Sequence, residues 1–507
     1  MYTYSKFEHD YTKSIFKYVE PISKDYRVFV NGTEIPVYTY RISKYPFNRV
    51  WPGFQRPGNQ TELSSFVNII SDEAIEIKVI ANRPHEKILI KPYSKQISHE
   101  EKKGEITFIL KENGNFVLET DSYHHCLCIF NSKPVVCDDK ASVTYYFGPG
   151  IHMPGKIRLK DNESVYVDKD ALVFGSIFAE NAKNIKVFGN GLFDDSCEGR
   201  IDNSCYEAFT NGNIKFYDCE NVKVEGVLFR DSAIWCVNVF HCFHAEFDNI
   251  KVFGQWHYNT DGVDIVNSQN ITVKNSFIHS FDDTITIKGI DRYSYTNNEN
   301  ILIENCVLWC DWGKTCEIGI ETACREYKHI TFRNCDILRG GHAALDIAMG
   351  EAAEVSDILY ENINVEYNAF DTAGEYQHSD DLAYNAQDKI SIPHLIRISN
   401  GRWRTPEMCE QWNIPLEMVP IDLDGVQIAC AHDITYKNIN VFYDEKIPKI
   451  GEKYNVPILL ESVLENVEYY NINMLGIRVN GTEIDESIAL MEIKGVKSMN
   501  FKSEDYK

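Results

Sequence analysis

Two short segments carry the residues of this chain best suited to chemistry. Asn259-Thr260-Asp261-Gly262 and Ser280-Phe281-Asp282-Asp283 place Asp261 and Asp282 21 residues apart, and each segment leads into an alternating apolar run, Val263-x-Ile265 and Ile285-Thr286-Ile287. That interval is close to one coil of a stacked β-repeat, so three carboxylates are expected at one height on one face. Acid/base cleavage of a glycosidic bond needs such a group: one carboxyl protonates the leaving oxygen while another activates water. Adjacent residues of a regular strand point to opposite faces. The chain must therefore bend at Asp282-Asp283 if both are to reach one cleft. A bare Asp-Asp pair is ordinarily a turn with two solvated acids. Here both acidic segments hold the same position, just before an apolar alternation, and that favours the functional reading.

The elements that must position these residues form a repeat. From residue 141 a polar residue followed by apolar-x-apolar recurs, as in Asn184-Ile185-Lys186-Val187, Asn221-Val222-Lys223-Val224, Asn270-Ile271-Thr272-Val273, Asn300-Ile301-Leu302-Ile303, His329-Ile330-Thr331-Phe332 and Asp357-Ile358-Leu359-Tyr360. The last three intervals are 30, 29 and 28 residues. Periods of this size, with several short strands per unit and almost no helical periodicity, predict a β-solenoid whose stacked coils share one core. The leucine-rich frame is absent, so the expected fold is all-β, a right-handed parallel β-helix over residues 141–507. Recurrent Asn at one corner should stack as a hydrogen-bonded ladder. Residues 1–140 read instead as strands at hairpin spacing, with Arg27-Val28-Phe29-Val30 before Asn31-Gly32, and predict an N-terminal β-sandwich. Between Tyr367 and Ala431 the repeat lapses. This stretch, with Arg402-Trp403-Arg404 and Trp412, reads as an insertion of the kind that lines a solenoid's binding face.

Composition removes several classes of function. A formal charge of −24 excludes a phosphate-reading surface, so no nucleic-acid partner is expected. No apolar run approaches the roughly 20 residues of a membrane span. Fifteen cysteines, scattered mainly as singles, suit a reducing compartment better than a secreted disulfide framework. Cys126-x-Cys128 and Cys306-x3-Cys310 lack a second pair at zinc-site spacing and read as buried thiols. Met1 to Asp10 has no charged-then-apolar signal pattern, and the expected location is the cytoplasm.

The paired segments resemble the signature of glycoside hydrolase family 28, the polygalacturonases. The run from Tyr146-Phe147-Gly148-Pro149-Gly150 to Gly175-Ser176-Ile177 is similar to the start of their β-helix. The N-terminal sandwich, Glu317-Ile318-Gly319 and Gly476-Ile477-Arg478-Val479-Asn480-Gly481 are more similar to family 49, the dextranases and isopullulanases. At motif level the likeness covers residues 145–335. It implies an inverting hydrolase with Asp282 as general acid and with Asp261 and Asp283 holding and deprotonating the water, without cofactor or metal. Crowded carboxylates fit that division, because one of them is driven to keep its proton.

Departures from the polygalacturonase pattern bear on substrate. Where that family has Gly-His-Gly this chain has Gly313-Lys314-Thr315, and where it has Arg-Ile-Lys the strand reads Asp346-Ile347-Ala348; Gly341-His342-Ala343 is offset from the first. The expected partner is a neutral or weakly acidic α-linked oligo- or polysaccharide, cleaved from a chain end. Subsite residues are expected at Asn259 and His257 before the first motif, at Lys288, Lys314 and Glu317 near strand ends, and at Trp312 as a stacking platform, with Trp309 in the core. A β-helix polysaccharide lyase and a non-catalytic glycan-binding solenoid are the competing readings.

Overall fold

The computed structural model describes residues 1–7, 21–44, 61–200, 210–351, 353–368, 376–377, 384–385, 392–400, 430–462 and 468–502. Apart from three short 3-10 turns its regular elements are all strands.

Two small sheets come first. Tyr2–Tyr4, Tyr38–Ser43, Thr61–Ser71, Ile88–Lys91, Gly114–Thr120 and Ser122–Ser132 form one, and Tyr26–Val30, Thr33–Ile35, Ile75–Ala81, His99–Lys102 and Glu105–Leu110 form the other. Alternate residues of both sheets meet in a shared core, with Val28, Val30, Ile77, Val79 and Ile106 against Val67, Ile69, Leu118, Leu127 and Ile129. The turn joining Tyr26–Val30 to Thr33–Ile35 has positive φ at both Asn31 (47°) and Gly32 (81°), the primed hairpin geometry that suits the strands' twist.

Among the described residues a 31-stranded sheet then winds from Tyr145–Phe147 to Met499–Lys502, its strands pairing in parallel with their counterparts one coil on, except for the antiparallel hairpin of Arg478–Val479 with Thr482–Glu483. This is the right-handed parallel β-helix. Inward residues stay in register: Val263, Ile285, Cys316, Leu345, Ile396 and Ile458 form one such column, all fully or almost fully buried. Each inward Val, Ile or Leu contributes about 1.5–3 kcal/mol by leaving water, and only stacking makes that possible. Phe332, Tyr360 and Tyr436 stack along the same core at 5.0 Å between ring centroids.

The corners are polar. Asn184, Asn221, Asn270, Asn300, His329, Asp357, Asp433 and Asn471 all have φ between 52° and 59°, a left-handed conformation that Asn and Asp tolerate better than most residues. Their side chains connect coil to coil, as in Asn221 Nδ2 to Asn184 Oδ1 (3.3 Å) and Asn300 Nδ2 to Asn270 Oδ1 (3.2 Å).

The small sheets lie against the solenoid's side. Phe66 and Phe130 pack on Phe253, Phe277, Leu228 and Trp309, and Lys91 bridges buried Glu119 (3.1 Å) to Glu366 of the solenoid (3.3 Å). Trp309 is 1% exposed within this contact. Of the expected insertion, Arg402, Trp403, Arg404 and Trp412 lie outside the described residues.

Candidate active site

The strands Val263–Val266, Ile285–Gly289, Lys314–Thr322, Ala343–Met349 and His394–Asn400 stack in that order. Just before each of the first two the chain bends. Phe281 N and Asp282 N both point at Thr260 O (3.3 Å each), Gly262 N donates to Asp283 O (2.8 Å), and Thr284 N to Lys314 O (2.8 Å). The bend breaks strand alternation, so Asp282 and Asp283 need not face opposite ways. By register, Asp261, Asp283 and Lys314 hold the same place in three successive coils. Gly313 makes this possible: a Cβ there would sit 2.5 Å from both the Asp283 amide nitrogen and Oδ1. Without one, the backbone settles directly over the carboxylate.

The three carboxylates are 2% (Asp261), 7% (Asp282) and 5% (Asp283) exposed, almost wholly shielded from water. Their surroundings differ. Asp261 Oδ2 accepts from Lys288 Nζ at 2.9 Å. Asp283 Oδ1 accepts from the Lys314 amide at 2.9 Å, with Lys314 Nζ at 3.4 Å and Lys288 Nζ at 3.8 Å from its carboxylate. Among the described residues no cation lies within ion-pair distance of Asp282; its Oδ2 faces Asn259 Nδ2 at 3.5 Å and its Oδ1 accepts from the next amide, Asp283 N, at 3.0 Å.

Charge separates their protonation. Burial, then the neighbouring Asp261 and Asp283 charges, pushes the Asp282 carboxyl well above the usual carboxylate range. Burial also raises Asp283, but Lys314 and Lys288 outweigh it and hold that group below the usual range. Asp261, raised by burial and lowered by Lys288, comes to about 6. Two adjacent carboxyls thus sit in opposite states.

Lys288 is the hub. Besides Asp261 and Asp283 its ammonium lies 3.1 Å from Asp264 and 3.9 Å from Glu321, and 3.8 Å from the centre of the Trp235 ring. Glu317 is fully buried, with Oε1 3.2 Å from Lys314 Nζ, and burial followed by the Asp283 charge drives its carboxyl well above the normal range.

The remaining expected subsite residues are distributed around this centre. Asn259, whose Oδ1 accepts from Arg200 at 3.0 Å, is the direct neighbour of Asp282. Trp312 is half-buried, stacked on Phe281 (5.8 Å, 12°) and edge-on to His342 (6.0 Å). His257 turns aside: its ring lies against Trp256 (3.6 Å) and its Nε2 is 3.6 Å from Asp231.

Sequence reasoning gave no site role to three partners. Asp264 follows Asp261 by three residues and projects outward by strand parity, a signal that was readable. Asp346 is gripped by both arms of Arg397 at 2.6 and 2.7 Å, a pairing that spans 51 residues of sequence and only register reveals. His342 lies in the field of Lys314 and Arg397; burial and then those two cations take its imidazole down to about 4.

With this geometry in view, comparison with known proteins is informative. Residues 140–392 match the model of "Glycosyl hydrolases family 28". "Probable rhamnogalacturonase A" of Aspergillus oryzae is 23% identical over 47% of this chain and 51% of its own length. The "Polygalacturonase" of Gossypium barbadense is 27% identical over 61% of this chain and 77% of its own. The chain spans about half the length of the first of these relatives. Among solved structures "Dex49A from Penicillium minioluteum" superposes with a TM-score of 0.63 over 94% of this chain and 95% of its own at 12% identity, a likeness of fold. Over residues 140–392 this chain resembles the glycosyl hydrolases of family 28, and its fold is that of Dex49A.

Proposed function

We propose that the chain cleaves an α-linked oligo- or polysaccharide with inversion, Asp282 acting as general acid and Asp261 with Asp283 as the base pair that holds and deprotonates the water. One observation carries this reading. Among the described residues no cation lies within ion-pair distance of Asp282, while its neighbour Asp283 is held by two lysines, so the first keeps a proton to give to the leaving oxygen and the second stays an acceptor. Water then displaces the leaving group directly.

The cations of the site are already engaged. Lys288 faces four carboxylates, Lys314 faces Asp283 and Glu317, and the Arg397 fork is closed on Asp346. A uronate carboxylate would have to compete with all of them, which favours a neutral or weakly acidic sugar. The same engagement weighs against a lyase, whose proton-abstracting Lys or Arg must be free to discharge. The reading includes release of mono- or disaccharide from a chain end. In this reading Asn259 and Trp312 touch the sugar, Lys288 and Glu317 position the acids behind it, and Lys314 sets the charge of Asp283. Ten buried cysteines outside any disulfide among the described residues support a reducing compartment, where imported oligosaccharides would be the substrate.

The decisive experiment incubates the protein with oligomers of dextran, pullulan, galacturonan and rhamnogalacturonan and follows the first product by proton NMR. Appearance of the β-anomer from an α-linkage, with the smallest sugars released first, supports the reading. An unsaturated product, or retention of configuration, overturns the mechanism, and mid-size products first overturn the exo assignment.

A further inference from the structure

Outside the acidic face, the strands Glu354–Tyr367 and Cys430–Tyr443 pair in parallel along their whole length, with Glu354 beside Cys430. His432 lies two residues beyond Cys430, so both side chains leave the same face of the strand. A Glu354 carboxylate oxygen, Cys430 Sγ and a His432 ring nitrogen all fall within 4.8 Å of one another. Ten of the described cysteines are buried; Cys430 is only half-buried, as are its two companions.

The histidine is held in place. Its Nε2 is 2.9 Å from Glu354 Oε1 and its Nδ1 2.7 Å from Asp433 Oδ2. Asp433 Oδ1 in turn accepts from Asn471 Nδ2, and the imidazole stacks on Tyr470 at 4.6 Å and 4°. A carboxylate that fixes Nδ1–H and leaves Nε2 facing a thiol and a second carboxylate is the outer support typical of metal-bound histidine.

We propose that Glu354, Cys430 and His432 bind a divalent transition-metal ion, best matched by zinc, with water completing the coordination. A mixed sulfur, nitrogen and oxygen set suits zinc, whereas calcium and magnesium take oxygen alone. Tetrahedral zinc wants these donor atoms about 3.5 Å apart, which side-chain rotation achieves from the present spacing. The ligands bind in their deprotonated forms, the Cys430 thiol giving up its proton to solvent, so binding weakens in acid. The site joins two coils across 78 residues of sequence, so the ion acts as a staple and takes no part in hydrolysis.

The test uses the full chain, reduced, stripped with chelator and dialysed, then titrated with zinc or cobalt chloride near neutral pH. One equivalent should bind, raise the unfolding midpoint, and with cobalt give a thiolate-to-metal charge-transfer band. Cys430→Ser should abolish that band, His432→Ala should weaken binding more than tenfold, and Asp433→Asn should weaken it about 10- to 100-fold. Glycan hydrolysis should be unchanged in all three. No stoichiometric binding, equal binding of calcium, or binding unaltered in Cys430→Ser and His432→Ala would overturn the proposal; the last would place the ion at another acidic group.

Discussion

Two columns of polar side chains climb the same solenoid, and they are built on opposite principles. At the corner, Asn221 donates to Asn184 and Asn300 to Asn270. These amides are neutral and well exposed, and each can both give and accept. On the acidic face Asp261, Asp264, Asp282, Asp283 and Glu317 are 7% exposed or less and, among the described residues, share only Lys288 and Lys314 at close range. The ladder satisfies itself. The acidic face cannot, because burial demands neutrality and carboxylates outnumber ammonium groups. Some of its members must take up protons, and the unequal placing of the lysines decides which.

If that contrast is right, the largest effects come from altering the charge pattern. Asp282→Asn keeps shape and removes the transferable proton, so kcat should fall about 10³-fold. The variant should unfold at the same denaturant concentration as wild type or a higher one, because a neutral amide replaces a group already driven to be neutral. Activity within tenfold of wild type would remove Asp282 from the acid role.

Lys288→Met attacks the hub instead. It leaves Asp261, Asp264 and Asp283 buried without their nearest shared cation, and breaking a buried ion cluster by deleting one partner costs about 3–5 kcal/mol. Urea unfolding should show that loss, together with an acidic limb of the activity profile displaced to higher pH. A loss below about 1 kcal/mol would mean that the face is not held by charge balance.

The pH dependence follows with a defined sign. Asp261, at about 6 in the folded protein against an ordinary value near 3.8, binds its proton more tightly when folded. Its contribution to stability is therefore full below about pH 4 and is lost as pH rises through about 6. Asp282 and Glu317, also raised, have the same sign. Asp283, held low, contributes in the opposite sense, as does His342, whose imidazole is kept neutral down to about 4. Activity should climb over the window in which Asp261 loses stability, since the base must be ionised. Subtracting the stability profile of Asp261→Asn from that of wild type isolates its slope: a downward slope between pH 4 and 6 is expected, and a flat or rising difference would show that Asp261 is not raised.

How much of this was legible depends on range. The coils, the corner asparagines and the three aspartates all repeat within about thirty residues, so spacing alone exposed them. The Asp282-Asp283 bend could be argued from the need for both acids to share a face. Asp264 was equally accessible, since strand parity turns it outward beside Asp261. Arg397 was not: it reaches Asp346 only through the register of Ala343–Met349 against His394–Asn400, and the repeat lapses between them. His257 is a different case. Adjacency in sequence placed it beside the motif, while the competing carboxylate Asp231 and the Trp256 ring captured its side chain.

The smallest effect belongs to the ladder, and it checks the other half of the comparison. Asn300 is exposed, has φ of 57° and gives one hydrogen bond to Asn270. Replacement by Ala adds the left-handed strain of a Cβ, about 1–2 kcal/mol, to the loss of a solvent-exposed bond of well under about 1 kcal/mol. Replacement by Gly loses the same bond without that strain. Urea midpoints should therefore rank wild type above Asn300→Gly and Asn300→Gly above Asn300→Ala, with hydrolysis unchanged in both. If Gly and Ala cost the same, the corner is maintained by the side-chain bond and not by backbone conformation, and the ladder would be a network as interdependent as the acidic face.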